Sequence, residues 1–375
     1  MTRAVLAGAL AALLALTAGA AAPPAGVTGI LGTPADAGFA QALAPRRFEF
    51  PADHGPHPQF RQEWWYFTGN LEAGDGERFG FEFTVFRYAL APPGATPAGS
   101  SAWRARELYL AHFAVTDVAR GRFASAQRLE RGALGLAGAT ASPFAVWVDD
   151  WSVRAVADVP GSWVLGVQGE GYRLALELDA SGVPVLNGER GLSVKSDTPG
   201  DASYYYSLPR VGVRGQLLRG GRTLQVTGLA WFDREWGSGG LGTGQVGWDW
   251  YALQLQDGSS LMFYALRRAD GTPGPHSAGT FVEPSGEVRA LTGADLTVGV
   301  GDHWVSATGT RYPSAWRISV PALGLELAVH PVLAAQELAT TPRYWEGAVD
   351  ATGTRSGSPV RGRGYVELVG YAKER

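Results

Sequence analysis

An aromatic β-hairpin pattern that occurs twice constrains the fold of this chain more than any other feature. The first copy, Glu63–Arg87, begins EWWYFTGN, passes a Gly-Asp-Gly turn and ends FGFEFTVFR. The second copy, Trp248–Arg267, begins WDWYALQL, passes an Asp-Gly turn and ends LMFYALR. Trp-Tyr pairs alone recur by chance in aromatic-rich β proteins, but here the turn and the final Arg match as well. The pattern predicts one hairpin plan used in two related β domains.

The composition agrees with a two-domain all-β protein. A chain of 375 residues suggests two domains once a leader is removed, and we predict them at 46–225 and 226–375. The 52 Gly and 13 Trp suit turns and pleated faces. The absence of Cys excludes disulfides, thiolate metal sites and a Cys nucleophile. A net charge of -3 without a basic block argues against nucleic acid as a partner.

The N-terminus has the pattern of a secretory signal. Arg3 precedes the apolar run Val5–Ala18, and small residues suited to cleavage follow. We predict a signal peptide at 1–22 and a flexible lead-in, rich in Ala, Gly and Pro, at 23–45. The mature protein is then expected to be secreted or periplasmic, without a stable membrane span after cleavage. An uncleaved anchor is the alternative.

Two acidic residues in one strand pattern are candidate catalytic groups. Within Leu229–Trp236, a period of two puts Trp231, Asp233 and Glu235 on one face. Burial among indole rings would raise the pKa of a carboxyl group there and let it donate a proton. The alternative is that either acid forms an ion pair with an arginine.

Asp249 and Tyr251 form a second candidate pair, because they share the strand face opposite to Trp248 and Trp250. An acid and a phenol on one face could bind water or a substrate hydroxyl. An ion pair at a barrel mouth is the alternative for the acid. Glu63 precedes the aromatic pair of the first hairpin and is a weaker candidate of the same kind.

The remaining polar strand and loop residues give weaker signals. His112 lies on an apolar strand face, where it is either a satisfied core residue or an acid/base in a barrel lumen. Glu82 is expected to face water or a lumen. His54, His57 and Asp53 share a loop that could hold a metal, but a packing loop is the expected interpretation. No metalloprotease, serine-hydrolase, P-loop or dinucleotide motif occurs, and we expect no metal and no cofactor.

Six aromatic and acidic motifs occur in an order that resembles the AttH-like family. That family also contains carotenoid 1,2-hydratases and many predicted secreted hydrolases. The resemblance covers nearly the whole mature chain, from about Arg47 to Tyr371. The motifs are Glu63–Gly69, Tyr205–Ser207, Ala230–Trp236, Gly247–Trp250, Tyr344–Ala348 and Gly364–Tyr371.

The resemblance implies an all-β fold of two lipocalin-like antiparallel β-barrels packed together, the calycin architecture. It implies less about activity, since related domains serve as hydratases, as pericyclase-like enzymes and as proteins without an assigned reaction. One position departs from the family: Arg234 stands where the pattern Asp-His-Glu-Trp has a histidine. Arg cannot act as a base at neutral pH, so any role of that histidine is in doubt here.

Two functions are therefore expected. The first is a cofactor-independent enzyme that hydrates or rearranges an apolar isoprenoid-like or polyketide-like molecule, with Asp233, Glu235, Asp249 and Tyr251 as catalytic groups. The second is a non-catalytic carrier of a hydrophobic small molecule; a structural domain pair fitted to a partner protein is a third. Expected ligand-binding residues are Glu63, Trp65, Tyr66, His112, Tyr205, Trp231, Trp236, Trp248 and Trp250.

Overall fold

A computed structural model describes residues 38–95 and 105–372, and within them the chain is almost entirely β-structure. The strands of the first sheet are β1 (Gln62–Ala73), β2 (Arg78–Ala89), β3 (Glu107–Asp117), β4 (Arg122–Arg131), β5 (Ala137–Ala141), β6 (Phe144–Val148), β7 (Trp151–Ala155), β8 (Ser162–Gly169), β9 (Tyr172–Asp179), β10 (Val185–Leu186), β11 (Leu192–Val194), β12 (Ala202–Arg219) and β13 (Arg222–Gly237). The strands of the second sheet are β14 (Gln245–Leu255), β15 (Ser260–Arg268), β16 (Ala278–Val282), β17 (Val288–Thr292), β18 (Thr297–Val305), β19 (Arg311–Val320), β20 (Leu325–Pro331), β21 (Glu337–Leu338), β22 (Tyr344–Arg355) and β23 (Ser358–Leu368). Two single-turn 3-10 helices lie at Ala52–His54 and Pro321–Leu323.

The two sheets confirm the prediction of an all-β fold with two barrel-like units. The first sheet has the order β4-β3-β2-β1-β13-β12-β9-β8-β7-β6-β5, and β10 and β11 pair with β12. The second has the order β17-β16-β15-β14-β23-β22-β20-β19-β18, and β21 pairs with β22. The first sheet forms a near-barrel and the second a half-barrel.

Both copies of the aromatic pattern form the predicted hairpins. β1 pairs antiparallel with β2, and β14 pairs antiparallel with β15. In each sheet the first hairpin strand also pairs with the last long strand, so that β1 contacts β13 and β14 contacts β23. The two sheets therefore share a three-strand arrangement, which extends the sequence repeat beyond the hairpin.

Alternation along the strands separates the core of each sheet from the contact between the sheets. Trp65 and Phe67 of β1 point into the first near-barrel and join its large buried apolar cluster. Tyr66 points the other way and packs with Trp250 of the second sheet, with their ring centroids 5.1 Å apart. Hence the sheets meet through the outer faces of their aromatic strands, and this contact is itself apolar and buried.

The chain passes from the first sheet to the second between residues 238 and 244. The predicted domain boundary near residue 225 falls inside β13, which remains paired with β1 and β12 as far as Gly237. We call residues 238–244, which contain four glycines, the linker. Its Ser238 hydroxyl accepts a hydrogen bond from the Arg61 amide at 3.0 Å and also donates to the Ala40 carbonyl.

The predicted signal peptide, 1–22, lies outside the described residues, as does the lead-in up to residue 37. Residues 38–45 of the lead-in pack on the first sheet. Ala42 is buried in its core, and the Tyr204 hydroxyl donates to the Ala44 carbonyl at 2.9 Å. In the part of the chain that is described, no helix is long and apolar enough to cross a bilayer.

Candidate active site

A cavity of about 110 Å³ lies between the two sheets, and aromatic side chains from both sheets line it. Both sheets contribute to it, so the cavity is not the lumen of either barrel. Backbone of the linker closes one side through Gly239 and Gly240. The aromatic side chains that line it are Trp64, Tyr66, Phe86 and Tyr205 from the first sheet, and Trp248, Trp250 and Tyr264 from the second. The polar side chains that line it are Gln62, Lys195, Ser203, Asp233, Glu235 and Glu367.

Asp233 is the most enclosed acid of this cavity. β13 places it on the face that turns toward the second sheet, together with Trp231 and Glu235, as the strand period predicts. Its Oδ1 accepts hydrogen bonds from the Trp231 indole at 2.6 Å and the Ser207 hydroxyl at 2.5 Å, and its Oδ2 accepts one from Tyr205 at 2.5 Å. Burial raises the pKa of Asp233 to about 7, although these three donors act in the opposite direction.

Glu235 differs from Asp233 because it has a cation beside it. Lys195 Nζ lies 3.0 Å from Glu235 Oε1, and the Ser203 hydroxyl also donates to this carboxylate. The Lys195 ammonium lies 4.4 Å from the centre of the Tyr264 ring. Burial acts to lower the pKa of Lys195, but Glu235 outweighs burial and the pKa is raised. Lys195 and Glu235 therefore form a charged pair, while Asp233 has no cationic partner at hydrogen-bond distance.

Glu367 provides an acid on the opposite wall. It is half-buried on β23, and its Oε2 accepts a hydrogen bond from the Trp248 indole at 2.8 Å. Burial raises its pKa to about 7, and the Trp248 donor only partly offsets this. Sequence analysis assigned no role to Glu367. The signal was available, because the residue lies in the last strand of the second aromatic unit, as Asp233 does in the first.

Two further acids lie in the contact between the sheets, behind Glu367. Glu82 and Glu346 are fully buried. Glu346 Oε1 accepts a hydrogen bond from the Tyr66 hydroxyl at 2.7 Å, but its Oε2 has no partner, and neither oxygen of Glu82 makes a hydrogen bond of good geometry. Burial raises the pKa of Glu82 to about 8 and that of Glu346 well above its usual range. Glu82 was expected to face water or a lumen, and instead it faces the second sheet.

The expected aromatic ligand residues divide between the cavity and the cores. Five of them lie at the contact between the sheets: Tyr66, Tyr205, Trp231, Trp248 and Trp250. The Trp250 indole donates to the Tyr205 hydroxyl at 3.1 Å, which joins one sheet to the other beside Asp233. Trp65 and Trp236 instead point into the first near-barrel, because they occupy the alternate strand positions.

Asp249 and Tyr251 share a face, as predicted, but the structure does not bring them to the cavity. They lie on the inner face of β14, within the second half-barrel. The Asp249 carboxylate accepts a hydrogen bond from Tyr371 at 3.0 Å and lies 3.4 Å from Arg267 Nε. Burial raises its pKa to about 6 against the effect of Arg267. The four predicted catalytic groups therefore form two separate pairs, and only the pair of Asp233 and Glu235 lines the cavity.

Glu63 belongs to a buried ionic cluster inside the first near-barrel. Its carboxylate pairs with the guanidinium groups of Arg87 and Arg234 and accepts the His57 amide at 3.0 Å. Burial favours the neutral form, but Arg234 and Arg87 hold the pKa of Glu63 well below its usual range. The Arg234 guanidinium also lies 3.9 Å from the centre of the Trp65 ring. Arg234 thus acts on the core side of β13, away from the cavity.

His112 and His57 both lie in packed, buried surroundings and not in the cavity. His112 Nδ1 lies 2.8 Å from the Tyr344 hydroxyl at the contact between the sheets, and burial lowers its pKa to about 4, so that the ring is neutral at pH 7. It does not line the cavity. His57 Nε2 lies 3.1 Å from Asp53, and its ring stacks on Trp236 at 3.8 Å. Among residues 38–95 and 105–372, no group of three or more His, Asp or Glu side chains could hold a metal ion.

Comparison with known proteins places the chain in a family. The AttH-like family model matches residues 41–371. The crystal structure of an AttH protein from Nitrosomonas europaea is 35% identical, covers 89% of this chain and 100% of its own, and superposes with a TM-score of 0.77. The crystal structure of kievitone hydratase from Nectria haematococca is 16% identical, covers 91% and 98%, and gives a TM-score of 0.67, a likeness of fold.

A curated relative adds a sequence match over part of the chain. The dehydratase asqC of Emericella nidulans is 25% identical over 211 residues, which are 52% of this chain and 57% of that protein. The chain therefore spans about half the length of the curated relative that it matches. Because the family model extends over nearly the whole described chain, the protein belongs to the AttH-like family.

Proposed function

We propose that this protein is a hydratase-type enzyme that adds water to a carbon–carbon double bond, or removes it in reverse, in the cavity between its two sheets. Two matched proteins carry related names, the dehydratase asqC and kievitone hydratase. Hydration and dehydration are one reaction in opposite directions, so one acid/base site serves both.

The observation that carries the proposal is the placement of Asp233, a buried carboxyl group in the wall of the cavity with no cation among the described residues at hydrogen-bond distance. Its pKa of about 7 leaves a substantial fraction of the carboxyl group protonated at neutral pH, where an ordinary Asp would be almost fully ionised. Hydration needs such an acid, which places a proton on one alkene carbon and leaves a cation on the other. The indole rings of Trp64, Trp248 and Trp250 line the same cavity and would stabilise that cation. Water then adds to the cation and loses a proton, which gives an alcohol.

The substrate class follows from the walls of the cavity. The aromatic side chains that line the cavity from both sheets suit an apolar isoprenoid-like or polyketide-like molecule. We propose no cofactor, since proton transfer by a carboxyl group is sufficient for this reaction. From its N-terminal pattern, the protein is proposed to act outside the cytoplasm or in the periplasm.

The test is to incubate the purified protein with farnesol, squalene and lycopene and to measure by mass spectrometry the gain of one water. Asp233→Asn should lower the hydration rate by about 10²–10⁴-fold, the usual contribution of a general acid. Asp249→Asn is the matched control, since it changes a buried acid that does not line the cavity. Circular dichroism and Trp fluorescence check that both variants fold.

The outcomes separate the candidate functions. Equal rates for wild type and Asp233→Asn would contradict the role of Asp233. Quenching of Trp fluorescence by a probe, without any product and with the same affinity in both proteins, would favour the carrier function instead.

A further inference from the structure

We propose that Glu367 is a second catalytic carboxyl group of this cavity, the one that accepts the proton of the incoming water. This inference rests on the proposed function and adds to it a residue in a defined role. Asp233 supplies a proton to the alkene, and the reaction also needs a base to take one from water.

Asp233 and Glu367 occupy corresponding places beside the aromatic residues that face the other sheet. In the first sheet, Asp233 is the direct cross-strand neighbour of Tyr66, which follows Trp64 by two residues in β1. In the second sheet, Glu367 is the direct cross-strand neighbour of Trp250, which follows Trp248 by two residues in β14. Because the two sheets meet through these faces, one acid from each sheet reaches the same cavity.

The local surroundings of the two acids also correspond. Each accepts a hydrogen bond from an indole, Asp233 from Trp231 at 2.6 Å and Glu367 from Trp248 at 2.8 Å. They differ in exposure, since Asp233 is 3% exposed whereas Glu367 is half-buried. The enclosed acid suits delivery of a proton to an apolar substrate, and the more exposed acid is the one that water reaches.

Glu367 is also the acid on its wall that can best ionise. Its cross-strand neighbour Glu346 and the facing Glu82 are completely buried, each with at least one oxygen without a partner, so the charged forms of these two are strongly disfavoured. Glu367 has both a donor, Trp248, and an opening to the cavity. A proton held on Glu346 or Glu82 keeps these neighbours neutral and limits repulsion.

The titratable groups near Glu367 come from both sheets. They are Asp233 and Glu235 of β13, Glu346 and Tyr344 of β22, Glu82 of β2 and Tyr66 of β1, with Lys195 paired to Glu235. Burial first, and then Asp233 and Glu235, raise the pKa of Glu367 to about 7. Near neutral pH, therefore, one of the two carboxyl groups can be protonated while the other is ionised, so that one can act as the acid and the other as the base.

The addition of water begins with protonation of the alkene. The Asp233 carboxyl transfers its proton to one alkene carbon, and the π electrons form that C–H bond. Water donates an electron pair to the resulting cation, and the Glu367 carboxylate takes one proton from the water oxygen. The product is the alcohol, Asp233 is a carboxylate and Glu367 is a neutral acid; transfer of one proton from Glu367 to Asp233 through water restores the enzyme.

The experiment compares hydration with proton exchange in D₂O, with farnesol, squalene and lycopene as probes. In wild type, Asp233 delivers a deuteron, and the cation either gains water or loses a proton to give back a labelled alkene. Glu367→Gln should lower hydration by at least about 100-fold but retain label in the recovered alkene, because Asp233 is intact. Asp233→Asn should lose both, and Glu326→Gln, an exposed acid of the second sheet, should lose neither.

A second measurement does not depend on turnover. The infrared difference between wild type and Glu367→Gln should contain a carboxylic acid band that disappears as the pH rises through neutrality. If wild type hydrates a probe and Glu367→Gln does so at the same rate, the role of Glu367 is refuted while the proposed function stands. If wild type gives neither hydration nor label with any probe, the proposed function fails and this role fails with it. A Glu367 band that persists above pH 9 would also refute the role, because the carboxyl group would then be neutral near pH 7 and could not accept a proton.

Discussion

Glu63 and Asp233 lie on paired strands of one sheet, yet their carboxyl groups meet opposite surroundings. Glu63 points into the first near-barrel, where Arg87 and Arg234 hold its pKa well below its usual range. Asp233 points to the second sheet, where burial raises its pKa to about 7 because no guanidinium or ammonium is bonded to it. Thus Glu63, on the core face of the paired strands, stays charged, whereas Asp233, on the face toward the second sheet, is partly protonated near neutral pH.

This difference separates a structural role from a reactive one. A buried carboxylate with two arginines contributes to the folded state only while all partners are present. A buried carboxyl without a cation is costly to ionise, and this cost makes it a proton donor near neutral pH. Burial of an acid therefore indicates a reactive group only when its partners are known.

The largest effect on stability is expected from Glu63→Gln. This change leaves Arg234 buried without its anion and Arg87 with Glu107 alone, and it should lower the free energy of unfolding by about 3–5 kcal/mol. Glu82→Gln is the matched change on the other face and should alter it by less than about 1 kcal/mol at pH 6.5, since Glu82 is neutral there. Urea unfolding followed by Trp fluorescence measures both. Similar losses for the two variants would contradict the comparison.

The pH dependence of stability should also differ between the faces. Glu82, Glu367 and Asp233 have folded-state pKa values of about 8, 7 and 7, well above the unfolded values near 4. Between pH 6.5 and 8 the folded state therefore binds more protons than the unfolded state, so the free energy of unfolding should fall as the pH rises. The expected decrease is about 2–4 kcal/mol, from up to about 1.4 kcal/mol per group and pH unit.

Two variants test whether this decrease in unfolding free energy arises from the acids at the contact between the sheets. Glu82→Gln should remove about 1–2 kcal/mol of it. Glu63→Gln should leave it unchanged, because a lowered pKa contributes stability that is lost only as the pH falls below the unfolded value of about 4.5. His54 and His112 titrate below pH 6.5 and lie outside this window. Urea unfolding at each pH is the measurement, and a flat wild-type profile would contradict the assignment.

The smallest of the three effects is expected from Arg234→His, which restores the residue that the family pattern has. The change removes donors to Glu63 and to the Gly55 carbonyl at 2.7 Å, while Arg87 still pairs with Glu63. A loss of about 1–3 kcal/mol in unfolding free energy is expected, with little change in hydration rate because Arg234 points away from the cavity. Arg214→His, at an exposed position, is the control. A large change in rate at unchanged stability would assign Arg234 a direct role.

Local patterns in the sequence were sufficient to predict the strands and their faces. The repeated hairpins and the shared face of Asp233 and Glu235 depend on a period of two, which is a property of neighbours along the chain. Such a pattern cannot tell which face meets which partner. For that reason Asp249 was grouped with Asp233, although it points into the second half-barrel, and Glu367 was overlooked although its strand had been recognised.

The residue at which the first sheet ends could be predicted only approximately from the sequence, for a related reason. The Gly-Gly turn at 220–221 resembles a connection between domains, but it joins β12 and β13 of one sheet. β13 must return to β1, far away in sequence, and only that long-range pairing shows that the first unit ends at Gly237. Long-range contacts of this kind leave no local pattern.

The linker connects the two sheets and also forms part of the cavity wall. Its Gly239, Gly240 and Leu241 line the cavity. A deletion in the linker, or a residue there with less backbone freedom than glycine, would alter the packing of the two sheets and also the shape of the cavity. The linker, which belongs to neither sheet, is therefore the first place to change when the protein is engineered to bind other small molecules.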